Sequence, residues 1–141
     1  MVQITKIFHF EMAHAIHGYE GACQHIHGHS YNLYVTVSSG EQGNDYLAGT
    51  GIIIDFKELK EIVNTAVVRN LDHKLVLSRS FLDAKPAFRA AENLFTWEAE
   101  PTAENLLVYA QKAIREKLPA DLMLTGLKLY ETADSFAEWL P

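Results

Sequence analysis

The stretch "HGHSYNLYVTVS", residues 27–38, decides the fold that this sequence predicts. From His29 onward, apolar and polar side chains alternate, which is the period of a β-strand with one buried and one exposed face. His27 and His29 are two positions apart, so an extended strand points both imidazoles to the same face. The apolar face of this predicted strand carries Tyr31, Leu33, Val35 and Val37.

A second alternating segment runs from Gln3 to His14 and predicts another strand. A neighbouring strand in matching register would place His14 beside His27 and His29. Three imidazoles without a cysteine or carboxylate suit a catalytic zinc, which keeps an open position for water or substrate. The competing interpretation is a polar surface strand whose histidines bind nothing. The residues that share the parity of His14 include Ile4, Phe8, Phe10 and Met12.

Two helices are predicted in the interior of the chain. Asp55 caps the first, with Glu58 three positions later as in a capping box, and helical spacing continues to Asn70. Thr102 caps the second, and Pro119 ends it. We expect two amphipathic helices that cover one face of a sheet.

The order of the elements predicts one α+β domain over residues 1–141, with an antiparallel sheet covered by the two helices. Strands grouped at both ends of the chain, with helices between them, are typical of this class. The other predicted segments are a loop at 38–51, a short strand at 52–55, an irregular excursion at 74–100, and strands at 124–132 and 135–140.

Composition excludes several classes of protein. The chain has 141 residues, 48% of them hydrophobic, and a formal net charge of −6. The acidic balance disfavours nucleic-acid binding, which requires a basic surface. No apolar run reaches the roughly 18 residues that a membrane helix needs, so no membrane partner is expected. The first ten residues lack a signal-peptide pattern, which predicts a cytoplasmic protein.

The one cysteine, Cys23, lies four positions before His27. A lone cysteine excludes an internal disulfide and is either a buried apolar residue or a working thiol. His9 has the parity opposite to His14 and is expected to face outward or to form a local hydrogen bond. His17 and His25 lie in loop-like sequence and are expected to be exposed.

Six motifs in one order resemble the 6-pyruvoyltetrahydropterin synthase family over nearly the whole chain. Within it, the chain looks most like the bacterial 6-carboxytetrahydropterin synthases of queuosine biosynthesis. Each motif alone is weak, whereas the ordered set is specific. The motifs are "FHFEMAH" (8–14), "CQHIHGH" (23–29), "IIDFKELK" (53–60), "LDH" (71–73), "PTAEN" (101–105) and "YET" (130–132).

The resemblance implies roles for residues in these motifs. It implies Zn²⁺ on His14, His27 and His29, which is the trio that strand parity selects. It also implies that Cys23 is the catalytic thiol, that Asp72 and His73 complete a proton-transfer group with it, and that Glu131 anchors the pterin ring. The implied fold is the tunnelling fold, in which sheets of several subunits close into a barrel. A homohexamer of two trimers is implied, with active sites between subunits.

The implied substrate is 7,8-dihydroneopterin triphosphate. Two details favour the carboxy branch: the three-residue spacer between Cys23 and His27, and Glu11 in "FEMAH". The expected reaction yields 6-carboxytetrahydropterin, acetaldehyde and triphosphate, and the runner-up eliminates triphosphate to form 6-pyruvoyltetrahydropterin. The long 74–100 segment departs from compact members and leaves substrate preference open. Outside this family, the alternatives are a non-catalytic metal- or pterin-binding module and a cupin, which the two helices disfavour.

Blander interpretations of the same motifs stay open. Asp72 and His73 could form a helix-stop turn, and Glu131 could be an acid at a strand end. No glycine-rich phosphate loop is present, so scattered basic residues would hold the triphosphate, and His25 and Lys74 are the candidates. Magnesium could accompany that group. Thr102 and Glu104 are expected to be cap residues first, and Glu104 and Asn105 are expected to lie near the site.

Overall fold

Two long antiparallel strands form the centre of the sheet, as the alternation predicts. The computed structural model describes residues 1–40, 43 and 45–141. Strand β1 (Ile4–His14) pairs with β2 (His27–Ser39) in a register that sets His14 opposite His27. Two more antiparallel strands follow on the far side of β2: β5 (Leu122–Tyr130) and β6 (Phe136–Trp139).

The predicted faces of the central strands are confirmed, because their apolar parity is buried against two helices. Helix α1 (Phe56–Val63) begins at Asp55, whose carboxylate accepts a hydrogen bond from Lys57 N at 2.7 Å. Helix α4 (Ala103–Arg115) begins at Thr102, whose hydroxyl accepts from Asn105 N at 3.2 Å. It ends four residues before Pro119. The core between sheet and helices includes Phe8, Phe10, Met12, Tyr31, Leu33, Leu59, Leu107 and Ile114.

The first helix is less regular than its spacing predicts. After α1, the chain continues as a π-helical segment (Asn64–Val68) and then as a short helix α2 (Arg69–Leu71). The wider π turn keeps both Val67 and Leu71 in the core. The helix therefore ends at Asp72 with its last turn packed against the sheet. None of the helices in the described ranges has the length and apolar run that a membrane crossing requires.

The prediction of an irregular excursion at residues 74–100 is wrong. This segment contains β3 (Lys74–Ser78), α3 (Arg79–Ala84) and β4 (Leu94–Trp97), and it adds two parallel strands to the edge beside β1. The strand order is β4-β3-β1-β2-β5-β6. A second apolar cluster covers the other side of β3, so four of its five residues are buried and no alternation is visible.

The predicted strand at residues 52–55 is also wrong. Gly49 and Gly51 adopt left-handed φ angles of +64° and +73°, and the following residues form bends without a strand partner. Ile54 enters the core, Ile53 packs against the core while remaining partly exposed, and Asp55 is the helix cap. Residues 41, 42 and 44 of the predicted 38–51 loop lie outside the described residues.

Leu33 tests the assignment of faces, because it is 1% exposed at the centre of the core. Replacing Leu33 with Ala should lower the free energy of unfolding by about 2–5 kcal/mol, through lost burial and the cavity left behind. The control is Ile7→Ala on the neighbouring strand, where the side chain is 44% exposed. That change should stay within about 0.5 kcal/mol. Urea unfolding measures both, and equal losses would contradict the assignment.

Candidate active site

Three imidazoles meet where β1 ends and β2 begins. His14 is buried, while His27 and His29 are half-buried on the same face of the sheet. Each offers one nitrogen, and the three nitrogens lie within 4.8 Å of one another. The ring centroids are 4.6 to 5.2 Å apart. The structure therefore brings together the trio that strand parity selected.

The hydrogen bonds of two of these rings indicate which nitrogens face the centre. His14 Nδ1 donates to the carbonyl of Pro101 at 2.6 Å, and His27 Nδ1 donates to the carbonyl of His25 at 2.7 Å. A carbonyl only accepts, so each Nδ1 carries the proton and each Nε2 a lone pair. The two Nε2 atoms lie 3.1 Å apart. Facing lone pairs repel each other unless a cation lies between them.

Burial makes a metal a better occupant of this place than a proton. Desolvation lowers the pKa of His14, so its neutral form is favoured at neutral pH. Neutral imidazoles whose outer nitrogens are held by carbonyls are the usual ligands of zinc. The donor set of His14, His27 and His29 therefore fits a divalent zinc ion with an open coordination position.

Tyr31 and Glu131 lie next to this cluster. The buried Tyr31 hydroxyl donates to Glu131 Oε1 at 3.3 Å and lies 3.5 Å from His14 Nε2. Burial, reinforced by the Glu131 carboxylate, raises the pKa of Tyr31 far above its ordinary value. The hydroxyl is therefore a neutral donor. Glu131 Oε1 is 3.9 Å from His14 Nε2, and the side chain remains partly accessible.

One cleft joins Cys23 and Glu131 to two of the histidines. Its volume is about 310 Å³, which lies in the usual range of roughly 300–1,000 Å³ for small-molecule sites. Cys23 is exposed and unpaired in this cleft, so the alternative of a buried structural cysteine is wrong. The lining residues include His14, His27, Cys23, Glu131, Glu104 and Phe136.

His73 lines a different cleft of the same chain, and Asp72 lies beside it. His73 N donates to the carbonyl of Glu11 at 2.6 Å, and Glu11 N donates to Asp72 Oδ1 at 2.9 Å. This backbone hydrogen bond, with a smaller contribution from His73, lowers the pKa of Asp72. Asp72 Oδ1 is 3.0 Å from His73 Nδ1. Among the described residues, His73 lines a cleft with Lys74 and Asn93, apart from the one that holds Cys23.

The other polar residues singled out in the sequence have varied surroundings. His9 faces outward and forms a hydrogen bond with Asn32, as predicted. His25 is exposed and contributes its carbonyl to the site. Glu104 lines the Cys23 cleft, as expected. Asn105 N donates to the cap residue of α4, and its amide donates to the carbonyl of Glu100 at 2.9 Å.

Sequence reasoning missed several contributors to this site. The alternation places Tyr31 only on the apolar face of β2. A buried tyrosine needs a hydrogen-bond partner for its hydroxyl, so its presence on that face was the sequence signal for a polar site nearby. Tyr19 and Phe136 line the Cys23 cleft from segments whose sequence carries no such signal. The carbonyl of Pro101 holds His14 across 87 residues of chain, which only the tertiary fold reveals.

Comparison with known sequences identifies relatives along nearly the whole chain. The family model described as 6-pyruvoyl tetrahydropterin synthase matches residues 3–140. A 6-carboxy-5,6,7,8-tetrahydropterin synthase of Rickettsia typhi is 33% identical over 145 residues, covering 98% of this chain and 99% of the relative. A 6-pyruvoyl tetrahydrobiopterin synthase of Drosophila melanogaster is 32% identical over 114 residues, covering 79% and 57%.

Solved structures share the fold. An uncharacterized protein of Wolinella succinogenes superposes with a TM-score of 0.76 at 20% identity, covering 99% of this chain and 97% of the other. The 6-pyruvoyl tetrahydropterin synthase of Caenorhabditis elegans gives a TM-score of 0.69 at 19% identity, covering 99% and 95%. These likenesses confirm the predicted α+β tunnelling fold of the single chain, and its closure into a barrel with other subunits stays a prediction.

The left-handed backbone conformation of His73 can be tested with two substitutions at this position. Its φ of 60° lies in the left-handed region, which costs a residue with a Cβ roughly 1–2 kcal/mol. His73→Gly and His73→Ala remove the same imidazole, but only glycine relieves this strain. The glycine variant should therefore be more stable than the alanine variant by about 1 kcal/mol in urea unfolding. A more stable alanine variant, the usual order at regular positions, would contradict this backbone assignment.

Proposed function

The chain belongs to the 6-pyruvoyl tetrahydropterin synthase family, and we propose that it acts as a zinc-dependent 6-carboxy-5,6,7,8-tetrahydropterin synthase. The proposed reaction converts 7,8-dihydroneopterin triphosphate and one water molecule to 6-carboxytetrahydropterin with release of acetaldehyde and triphosphate. This is the lyase step that the resemblance associates with queuosine biosynthesis, and we propose that it takes place in the cytoplasm. The observation that carries the proposal is the cluster of three imidazoles beside Cys23 and Glu131.

In this proposal His14, His27 and His29 hold the zinc ion. Bound zinc supplies a double positive charge that attracts and acidifies the hydroxyl oxygens of the substrate side chain. The carbonyls of Pro101 and His25 keep two of the rings in the tautomer that presents Nε2. The protein's own contribution is thus a rigid set of neutral ligands beside an accessible cleft.

Cys23 and the Asp72–His73 pair carry the proton transfers. Cys23 lines the cleft with an exposed thiol, so its thiolate can accept a proton from a side-chain carbon of the substrate. Asp72 accepts a hydrogen bond from His73 Nδ1, which leaves His73 Nε2 to give or take the second proton. Asp72 is itself fixed by Glu11 N, so the pair has a defined orientation.

We further propose that the complete site forms between subunits of a homohexamer made of two trimers. The support is that Cys23 and His73 line separate clefts of one chain. The edge strands β4 and β6 also offer backbone groups for sheet pairing with neighbouring copies. In such an assembly, the Cys23 cleft of one protomer receives the Asp72–His73 pair of its partner.

Glu131 is the proposed anchor of the pterin ring. A pterin edge presents adjacent N–H donors, which a carboxylate accepts in parallel. Glu131 lies on the same cleft as Cys23 and keeps part of its side chain accessible. The substrate is thus expected to lie with its ring at Glu131 and its side chain toward the histidines and Cys23. Lys74 is the proposed contact for the triphosphate from the second cleft, because it lies beside His73.

The second candidate is a 6-pyruvoyltetrahydropterin synthase acting on the same substrate. The name of the Drosophila melanogaster relative favours it, although that match covers less of each chain than the Rickettsia typhi match. The two reactions differ in one product, because acetaldehyde arises only in the carboxy reaction. A non-catalytic pterin-binding module is the third possibility, and it predicts no product of either kind.

Zinc binding is the first test of this proposal. His27→Ala and His29→Ala should each weaken zinc binding by at least about 100-fold, since losing a ligand costs more than losing an outer-shell partner. Competition with a colorimetric zinc chelator measures this. The matched control is His9→Ala, which removes an outward-facing imidazole of the same sheet and should leave zinc affinity unchanged. Undiminished binding by His27→Ala contradicts the assigned ligands.

Product analysis is the second test. Zinc-loaded protein incubated with 7,8-dihydroneopterin triphosphate should form 6-carboxytetrahydropterin and acetaldehyde, both detectable by chromatography. Cys23→Ala should lower kcat by at least about 100-fold, because a general base contributes roughly 10²–10⁴-fold. The control His17→Ala changes another exposed residue and should retain full activity. A pyruvoyl product without acetaldehyde would establish the second candidate, and full activity of Cys23→Ala would exclude the thiol mechanism.

A further inference from the structure

Tyr31 has one hydroxyl proton and two acceptors within reach. Its oxygen is 3.3 Å from Glu131 Oε1 and 3.5 Å from both Nδ1 and Nε2 of His14. His14 Nδ1 is occupied by its bond to Pro101, so Nε2 is the nitrogen with a lone pair to offer. The hydroxyl therefore lies between a nitrogen of the histidine cluster and the carboxylate at the cleft.

The ring of Tyr31 cannot move to favour one acceptor over the other. Tyr31 is 0% exposed and stacks on Phe10 with ring centroids 5.1 Å apart and planes 14° from parallel. The edge of the His29 ring closes another side, with centroids 5.4 Å apart. The core therefore fixes the oxygen in space, and only the direction of its proton can change.

The side chain of Glu131 is less constrained by packing than the ring of Tyr31. It lies immediately after β5, where the chain leaves the sheet, and its backbone N–H donates to Ser135 at 3.2 Å. Its side chain is 29% exposed, so part of the carboxylate faces the cleft. Among the described residues, Tyr31 supplies the hydrogen bond that ties this carboxylate to the core. A ligand that binds a mobile carboxylate binds more weakly, because ordering that side chain costs conformational entropy. A carboxylate that is already held in place avoids this cost.

We propose that Tyr31 is a positioning residue whose hydroxyl holds Glu131 in place for the pterin ring, and that metal binding at His14 strengthens this hold. The inference rests on the proposed function, because it takes Glu131 as the pterin anchor. A metal on His14 Nε2 occupies the lone pair that competes for the hydroxyl proton. The proton then has Glu131 as its remaining acceptor, so the metal site and the pterin anchor are coupled.

The test measures binding of pterin itself, which has the ring and lacks the side chain and phosphates, by fluorescence titration. Tyr31→Phe should weaken pterin binding to the zinc-loaded protein about tenfold, as expected for one lost hydrogen bond to a charged group. Zinc should tighten pterin binding to the wild type. The ratio of the pterin affinity with zinc to the pterin affinity without zinc should fall toward one in the variant. Zinc affinity should not fall, because the variant keeps all three imidazoles and loses only the hydroxyl that competes for the His14 Nε2 lone pair.

Tyr109→Phe is the matched control. Its hydroxyl accepts a hydrogen bond from Asn70 at 3.3 Å, which joins helices α2 and α4, and Tyr109 does not line the Cys23 cleft. It should bind pterin as the wild type does. If Tyr31→Phe binds pterin with wild-type affinity, the proposal is overturned. If zinc tightens pterin binding as much in Tyr31→Phe as in the wild type, the metal-linked part is overturned.

A double-mutant cycle separates positioning from general damage to the fold. If Tyr31 acts through Glu131, Tyr31→Phe combined with Glu131→Gln should bind pterin no more weakly than Glu131→Gln alone. Additive losses overturn the proposal, and the cycle can be read in any background that retains zinc binding. A wild type that makes product while Glu131→Gln keeps full pterin affinity overturns this inference and spares the reaction. A wild type that neither binds pterin nor makes product overturns both.

Discussion

The pairing of β1 with β2 is the interaction on which the rest of the structure depends. Side chains alternate with a period of two, so a slip of one residue would send every buried side chain of β1 to the opposite face. In the observed register, Phe10 lies opposite Tyr31 and His14 opposite His27. The same parity therefore buries the aromatic core and gathers the imidazoles. Strand register therefore brings the imidazoles to one face, and hydrogen bonds to backbone carbonyls orient two of them.

A buried cluster of polar rings at the end of an apolar core needs compensation. The structure supplies it from backbone carbonyls, because Pro101 and His25 accept hydrogen bonds from the two rings that face each other most closely. Tyr31 continues the arrangement, with its ring in the core and its hydroxyl among polar partners. The outer nitrogens of His14 and His27 are satisfied by these carbonyls, which leaves their inner nitrogens facing each other and suited to a cation.

Local sequence predicted those parts of the fold that show a period. The alternation of β1 and β2 and the caps Asp55 and Thr102 were sufficient for the central sheet and both helices. The prediction for residues 74–78 was wrong because a strand that is buried on both sides shows no alternation and cannot be distinguished from an unpatterned apolar run. The prediction for residues 52–55 was wrong because a strand-like pattern was present where no strand forms. Their β-branched side chains predict a strand, whereas the left-handed glycines before them direct the chain into bends.

In the candidate site too, local sequence predicted only the residues that follow a regular pattern. The histidine trio follows from parity on adjacent strands, while the carbonyl of Pro101 and the cleft residue Phe136 come from distant segments that no local pattern relates to it. The roles of Cys23, Asp72, His73 and Glu131 depended on resemblance to a family. Spacing alone could not connect "LDH" with a cysteine 49 positions earlier in the chain.

Strand β1 also explains why the proposed proton-transfer groups are apart in one chain. His14 leaves β1 on the core side, whereas the exposed Glu11 has the opposite parity and its backbone holds Asp72 and His73. Cys23 and His73 line separate clefts of one chain. In the proposed homohexamer, a second copy of the chain would supply the Asp72–His73 pair to the Cys23 cleft. Strand β1 contributes to both sites, since its core face carries His14 and its Glu11 backbone holds the pair.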